Sequence, residues 1–163
     1  MKKAKFAIRD GTIFDRKSVR LLAFSIMESF GIIPEPEGLD FDLGHFAENF
    51  SDSIAQLVAC KGKTIIGSII LKKKSPTFAK LTGFYVNPEF HGQGVGKGLL
   101  NEVINRARKN ASDGIYLSTC DNMESAIHLY NKYGWKRISD PPKNSGAQRS
   151  YYLNLNIKDP VSY

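Results

Sequence analysis

A chain of 163 residues with a net charge of +7 is the size of a single domain, and the expected domain spans residues 1–163. Hydrophobic residues at 42% suffice for a full core, and charged residues at 24% are ordinary for a soluble protein. Two cysteines make no disulfide framework, and no apolar run approaches the roughly 18 residues of a membrane span.

The opening Met1-Lys2-Lys3-Ala4-Lys5 leads into Phe6-Ala7-Ile8, too short for a signal peptide, and Arg9-Asp10 ends it. Cys60 and Cys120 lie in apolar, strand-like segments and read as small core residues, with a reducing cytoplasm as the expected location. Lys5 to Arg9 reads as a first strand. Thr12 or Asp15 caps a helix whose apolar face is Val19, Leu22, Ala23, Ile26 and Phe30, and Gly31 stops it. The Pro- and acid-rich stretch from Ile33 to Leu43 leads to a short second helix around Leu43 to Asn49. Ile54 to Cys60 and Thr64 to Leu71 are strands joined by a hairpin at Lys61-Gly62-Lys63, and Phe78 to Val86 is the next strand. Leu99, Leu100, Val103, Ile104 and Ala107 mark a helix, closed by Asn110 and Gly114, and Ile115 to Cys120 is a buried strand. Asp121 and Glu124 have capping-box spacing ahead of a helix with inner face Ala126, Ile127, Leu129, Tyr130 and Tyr133, ended by Gly134. Trp135 to Ile138 and Arg149 to Ile157 are the last strands, separated by a loop from Ser139 to Gln148.

The stretch His91-Gly92-Gln93-Gly94-Val95-Gly96-Lys97-Gly98 sits between a strand and a helix. Free N–H groups and the positive end of the helix dipole make such a place a phosphate site. It is not an ATP-type P-loop: residue 91 is His where that pattern needs Gly, and Gly98 stands where a hydroxyl would bind magnesium. The dinucleotide spacing G-x-G-x-x-G fails as well, at Lys97 or at Leu99. The positive charge of the chain is scattered, with Lys72-Lys73-Lys74 its only run, ending a strand at Ser75-Pro76. No nucleic-acid or membrane partner is expected, and an anionic cofactor accounts for part of the surplus.

The loop resembles the pyrophosphate loop [QR]-x-x-G-x-[GA] of the GNAT superfamily of acyl-CoA N-acyltransferases, with His91 where the family has Gln or Arg. Phe84 to Phe90 is similar to the strand and turn ahead of that loop. Asn122 to Trp135 resembles the family's N-x-x-A-x-x-L-Y-x-x-x-G-[FW], and Ile33 to Leu43 a Pro-rich stretch of one subgroup. The close similarity covers residues 81 to 135. It implies an α/β (α+β) fold: a mixed, mostly antiparallel central sheet of six to seven strands flanked by about four helices. The ligand loop then comes after the fourth strand, at a crevice outside strand carboxyl ends.

By this resemblance, acetyl-CoA is the co-substrate and a primary amine the acceptor, joined by direct transfer in a ternary complex. Gly92, Gln93, Gly94, Val95, Gly96 and Lys97, with His91, would hold the pyrophosphate. Backbone N–H groups of Phe84, Tyr85 and Val86 would meet the pantetheine arm and the acyl oxygen, with the side chains serving strand packing. Asn122 would bond the pantetheine or cap the next helix. Tyr130 stands where the family's tyrosine lies near the cofactor sulfur, as an acid or as a hydrogen-bond donor to the thiolate; a core aromatic is the alternative. Relatives often carry a strand Glu as base, but the matching positions are Lys80 and Ser118. Glu28, Glu35, Asp40 and Asp42 border the expected acceptor cleft (residues 25–45 and 139–148), His91 and His128 are weaker options, and no base is assigned. No metal site is read. A homodimer through the C-terminal strands fits a relative of this family. A non-catalytic acyl-CoA sensor or partner-binding module stays open beside the enzyme.

Overall fold

In the computed structural model, which describes residues 5–156, the chain runs β1 (Ala7–Asp10), α1 (Arg16–Ser29), α2 (Phe41–Gly44), β2 (Ser53–Lys61), β3 (Thr64–Lys73), β4 (Phe78–Val86), α3 (Val95–Lys109), β5 (Gly114–Thr119), α4 (Glu124–Lys132), β6 (Lys136–Ile138) and β7 (Arg149–Asn154). Short 3-10 turns, Ile13–Asp15 and Pro88–Phe90, precede α1 and α3. This is the expected element order. Ile157, the expected end of the last strand, lies outside the described residues.

The strands form one sheet in the order β1-β2-β3-β4-β5-β7-β6, and only the β4–β5 pair is parallel. Each face of the sheet carries a core, as a layered fold requires. Ile69, Leu81, Leu117 and Tyr151 pack with Leu99, Leu100 and Val103 of α3 and Ile127 of α4. On the opposite face Val58 and Ile70 pack with Val19, Ala23 and Met27 of α1.

Four local readings need correction. Met27, not Phe30, completes the buried stripe of α1. The helix stops at Ser29, Gly31 takes φ +75°, and the chain turns away, leaving Phe30 41% exposed. The second helix is a single turn at Phe41–Gly44 and does not reach Asn49. Asp121 caps nothing: α4 starts at Glu124 behind Met123, and the Asp121 carboxylate pairs with Arg149. Cys120 is not a core residue. It lies just past β5, half-buried, with Sγ 3.3 Å from the Gly146 carbonyl oxygen.

β4 is irregular at two places. Between the pairs Ser68↔Tyr85 and Ile70↔Thr82, two steps along β3 face three along β4. The extra residue is a bulge. Gly83 sits in it at φ +60°, where a Cβ would lie 2.7 Å from Ile70 Cδ1. The Gly83 carbonyl accepts a 2.8 Å hydrogen bond from the buried Ser68 hydroxyl. One inserted residue inverts the alternation of the strand. Leu81 before the bulge and Phe84 and Val86 after it therefore join the α3 side, while Tyr85 joins the α1 side. The second irregularity is a fork. β4 and β5 pair only from Phe78↔Gly114 to Lys80↔Tyr116. Beyond Lys80, β4 runs on to Val86 beside β3 alone, while β5 stays with β7 as far as Thr119↔Arg149.

Candidate active site

The fork opens into a cleft of about 820 Å³ whose walls are the end of β4, the loop into α3, the start of α4 and the last turn of α1. One wall is a strand edge. Asn87 N–H donates to Ile66 O of β3 at 2.8 Å. Successive strand residues turn their amides to opposite sides, so the N–H and C=O of Val86 face into the fork. His91 Nε2 lies 3.1 Å from that carbonyl and its Nδ1 3.4 Å from Ser125 Oγ. With a hydrogen on Nε2 the ring donates to Val86 O, and Nδ1 meets the Ser125 hydroxyl. His91 thereby ties β4 to α4 across the mouth of the cleft.

The second wall is a helix start. Gly94 caps α3 at φ +88°, and Gly98 N–H bonds back to Gly94 O at 2.9 Å. The N–H groups of Val95, Gly96 and Lys97 precede any intrahelical partner and point out of the helix end. Gly92 is also left-handed, at φ +75°, and a Cβ on either Gly92 or Gly94 would meet nothing within 4 Å. Glycine serves backbone shape there. Gly96 is different: its Cβ would lie 2.9 Å from Leu129 Cδ1, so its small size lets α3 approach α4. Lys97 and Lys132 both hold their amines over the Tyr133 ring, at 5.7 and 5.6 Å, and add positive charge beside the helix end.

Of the residues read from the sequence, Phe84, Tyr85, Val86, His91, Gly92, Gly94, Val95, Gly96, Lys97 and Asn122 line this cleft. Val95 is buried, so it offers its backbone. Gln93 does not line the cleft; its amide nitrogen turns back to Glu89 O at 3.2 Å. Asn122 is exposed, lines the cleft and lies two residues before α4, outside the capping position held by Met123. Tyr130 is 3% exposed and is not part of the lining. Its ring packs against Phe84, Trp135 and Tyr151, with centroids 6.2, 5.4 and 5.5 Å away. Burial, with Tyr85 and Tyr151 close by, pushes its hydroxyl well above the ordinary tyrosine range. Residues 139–148 do not reach the lining, whereas Ile26 and Ser29 of α1 and Phe30 just beyond it do. Sequence reasoning missed Lys132 and Tyr133. The signal was their place one turn and more beyond His128 on the loop-facing side of α4.

The profile of the acetyltransferase (GNAT) family matches residues 22–135, more than two thirds of the chain. The chain belongs to the GNAT acetyltransferases. A crystal structure of a GNAT-family acetyltransferase from Staphylococcus aureus superposes with a TM-score of 0.82 at 26% identity, covering 93% of this chain and 99% of that one. The PaiA N-acetyltransferase of Thermoplasma acidophilum, solved with coenzyme A, gives 0.69 at 20% identity, covering 92% and 99%. An N-acetyltransferase of Schizosaccharomyces pombe is 20% identical over 146 residues, 88% of this chain and 89% of its own. The N-alpha-acetyltransferase RimI of Mycobacterium tuberculosis is 28% identical over 97 residues, 58% of this chain and 55% of RimI. The GNAT fold binds acyl-CoA, and the residues above fit one: N–H groups and two lysines for phosphates, and a free strand edge for an amide-bearing arm.

Neither of the two strand positions at which the resemblance led to the expectation of a carboxylate holds one. Lys80, half-buried at the base of the fork, has its ammonium disfavoured by burial and by Lys74 and Lys72. Ser118 belongs to a hydroxyl triangle with Tyr116 and Ser150, at 2.6, 3.2 and 3.1 Å. Among the described residues no group of His, Cys, Asp and Glu could hold a metal ion, and no helix is long and apolar enough to cross a membrane.

Proposed function

We propose that this GNAT enzyme transfers the acetyl group of acetyl-CoA directly to a primary amine within a ternary complex. The observation that carries the reading is the fork: an open β4 edge leading from the glycine-rich start of α3 to the far face of the sheet. A linear thioester with its pyrophosphate on the N–H groups of residues 92–97 can lay its pantetheine arm along that edge.

Bound acetyl-CoA supplies an activated acyl carbon and a thiolate leaving group. The Val86 N–H, aimed into the fork, donates to the acyl oxygen as it gains charge; one such donor is worth roughly 3–4 kcal/mol of barrier. The amine nitrogen attacks, the C–N bond forms, the C–S bond breaks, and the proton shed by nitrogen balances the one gained by sulfur. Tyr130 packs against Phe84 of the lining without lining the cleft itself; held protonated by burial, it would act on the developing thiolate as a hydrogen-bond donor, and only where the cofactor sulfur reaches past Phe84. Neither cysteine is placed for an acyl-enzyme: Cys60 is buried in the α1-side core and Cys120 bonds Gly146 O.

A second reading, an acyl-CoA-binding module without turnover, is favoured by Lys80 and Ser118 at the strand positions. Initial rates of thiol release, with acetyl-CoA varied against peptides bearing a free α-amine and against spermidine, separate the two. Intersecting double-reciprocal lines with any of these amines support direct transfer. Parallel lines contradict it, and micromolar acetyl-CoA binding without amine-dependent release establishes the module.

A further inference from the structure

The acidic segment 33–44 is seated against both arms of the fork: Leu43 Cδ2 lies 3.2 Å from where a Cβ on Gly83 of β4 would stand, and Leu39 Cδ1 reaches Gly146 beside the end of β5. Asp40 heads α2, and its Oδ2 accepts the Glu35 N–H at 2.8 Å, which folds the segment into a tight turn. The preceding residue, Leu39, lies against Gly146, with its Cδ1 3.5 Å from where a Cβ would stand. The Gly146 carbonyl in turn takes the Cys120 thiol at 3.3 Å. The turn is thus seated beside the end of β5. On the β4 side Leu43 belongs to the core cluster against which Tyr85, the residue that the bulge turns toward α1, packs. The Asp40 charge acts on both Tyr85 and Cys120.

Two of the other carboxylates of the segment hold cations, and the third, Glu35, is exposed. Asp42 holds Lys72 at 2.8 Å, and Glu37 holds His45 at 3.0 Å. Asp40 pairs with no cation among the described residues, in a chain of net charge +7. The titratable groups facing it are Glu35 from its own turn, Tyr85 from β4 and Cys120 from the end of β5. None of them is cationic.

We propose that Asp40 is the base that takes the proton from the acceptor's ammonium group, in place of the strand carboxylate that Lys80 and Ser118 do not supply. The inference rests on the acetyltransferase reading above. An ammonium entering from the α1 face gives one proton to Asp40, and the free amine attacks the acyl carbon. The second proton leaves nitrogen as the C–S bond breaks and ends on the coenzyme A thiol; Asp40 then releases its own to solvent. Burial, with Glu35 nearby, raises the Asp40 carboxyl above the ordinary carboxylate range against the pull of the Glu35 N–H, which improves it as a base. The acceptor class is a cationic primary amine.

The test is Asp40→Asn, which keeps an oxygen to accept the Glu35 N–H, with Asp42→Asn as the control outside the fork. With acetyl-CoA and the amine that the wild type uses best, Asp40→Asn is expected to lower kcat at pH 7 by 10- to 1000-fold and to leave acetyl-CoA affinity unchanged. The acidic limb of its pH–rate profile disappears. A second readout needs no turnover: the rate of Cys120 alkylation by iodoacetamide, followed by mass spectrometry. Removing the Asp40 charge lowers the Cys120 thiol pKa, so alkylation near pH 7.5 is faster in Asp40→Asn than in wild type. Unchanged alkylation means that Asp40 does not face the fork, and an unchanged pH–rate profile means that it is not the base; either overturns the proposal. Faster alkylation in a protein that turns over no amine overturns the acetyltransferase reading, and the base with it, while leaving the placement of Asp40 intact.

Discussion

A tyrosine hydroxyl that burial holds above its usual range stays protonated at every working pH and acts only as a donor. Tyr130→Phe keeps the ring among Phe84, Trp135 and Tyr151 and removes that donor. Turnover is expected to fall roughly 10- to 1000-fold with acetyl-CoA affinity little changed, and stability should move by less than about 0.5 kcal/mol. Wild-type turnover would remove Tyr130 from the mechanism. A second residue-scale prediction concerns Asp15, whose carboxylate takes Arg9 at 2.7 and 2.9 Å and the Thr12 N–H at 2.8 Å. The Arg9 hydrogen bonds, against the opposing effect of burial, lower its carboxyl from 3.8 to about 2. A depressed carboxyl contributes fully above its unfolded value and loses that contribution as pH falls through its folded one. Asp15→Asn should therefore lose about 1 kcal/mol at neutral pH, since Arg9 is half exposed. In urea melts the gap to wild type should close between pH 4 and about pH 2; a gap that persists at the acid end would contradict the linkage. Tyr130 stands out in the sequence because it belongs to a motif of fixed spacing, but its burial behind the cleft lining depends on Phe84, Trp135 and Tyr151, which the spacing does not show. Asp40 was one of four acids with equal claims, because nothing local in the sequence says which acid a distant strand end will meet.

At the scale of elements, the glycine loop makes the sharpest prediction. Gly94→Ala adds a methyl group into open space but forces an L-residue to φ +88°, a strain of about 1–2 kcal/mol. Relaxing that strain swings the amides of the first turn, so acetyl-CoA affinity measured by calorimetry should fall at least tenfold, about 1.4 kcal/mol. Unchanged affinity in the folded variant would contradict the phosphate role of the loop. Gly96→Val is the poorer test, since Leu129 stands where its Cβ would go and α3–α4 packing would fail along with binding. The helical stripe of α3 and the limits of β4 were legible, since long apolar periodicity and flanking turn residues agree there. The end of α1 was not: periodicity carries Phe30 onto the buried face, and only the left-handed Gly31 turns it out to the cleft. The bulge at Gly83 was equally hidden. Strand alternation read from the sequence cannot reveal the extra residue that β4 inserts against β3 at Gly83, and with it the turn of Tyr85 toward the α1 side was lost.

At the scale of the whole molecule, element order and sheet type were legible because the chain alternates strands and helices with clear stops, while the fork was visible only by resemblance. The place where β4 and β5 part depends on which residues pair across the sheet, a long-range property. The fork joins the two faces: the free amides at the start of α3 with Lys97 and Lys132 on one side, and Tyr85, turned toward α1, on the other. Acetyl-CoA is expected to pass through this opening, and a crystal structure of the protein with acetyl-CoA bound tests that most directly. The expected result has pyrophosphate oxygens within hydrogen-bond distance of the N–H groups of residues 92–97, and the thioester carbonyl on the β4 edge at Val86. The acetyl group should point toward Asp40. A cofactor seated elsewhere, or one whose acyl end stops on the α3 side of the sheet with the fork closed, would contradict it.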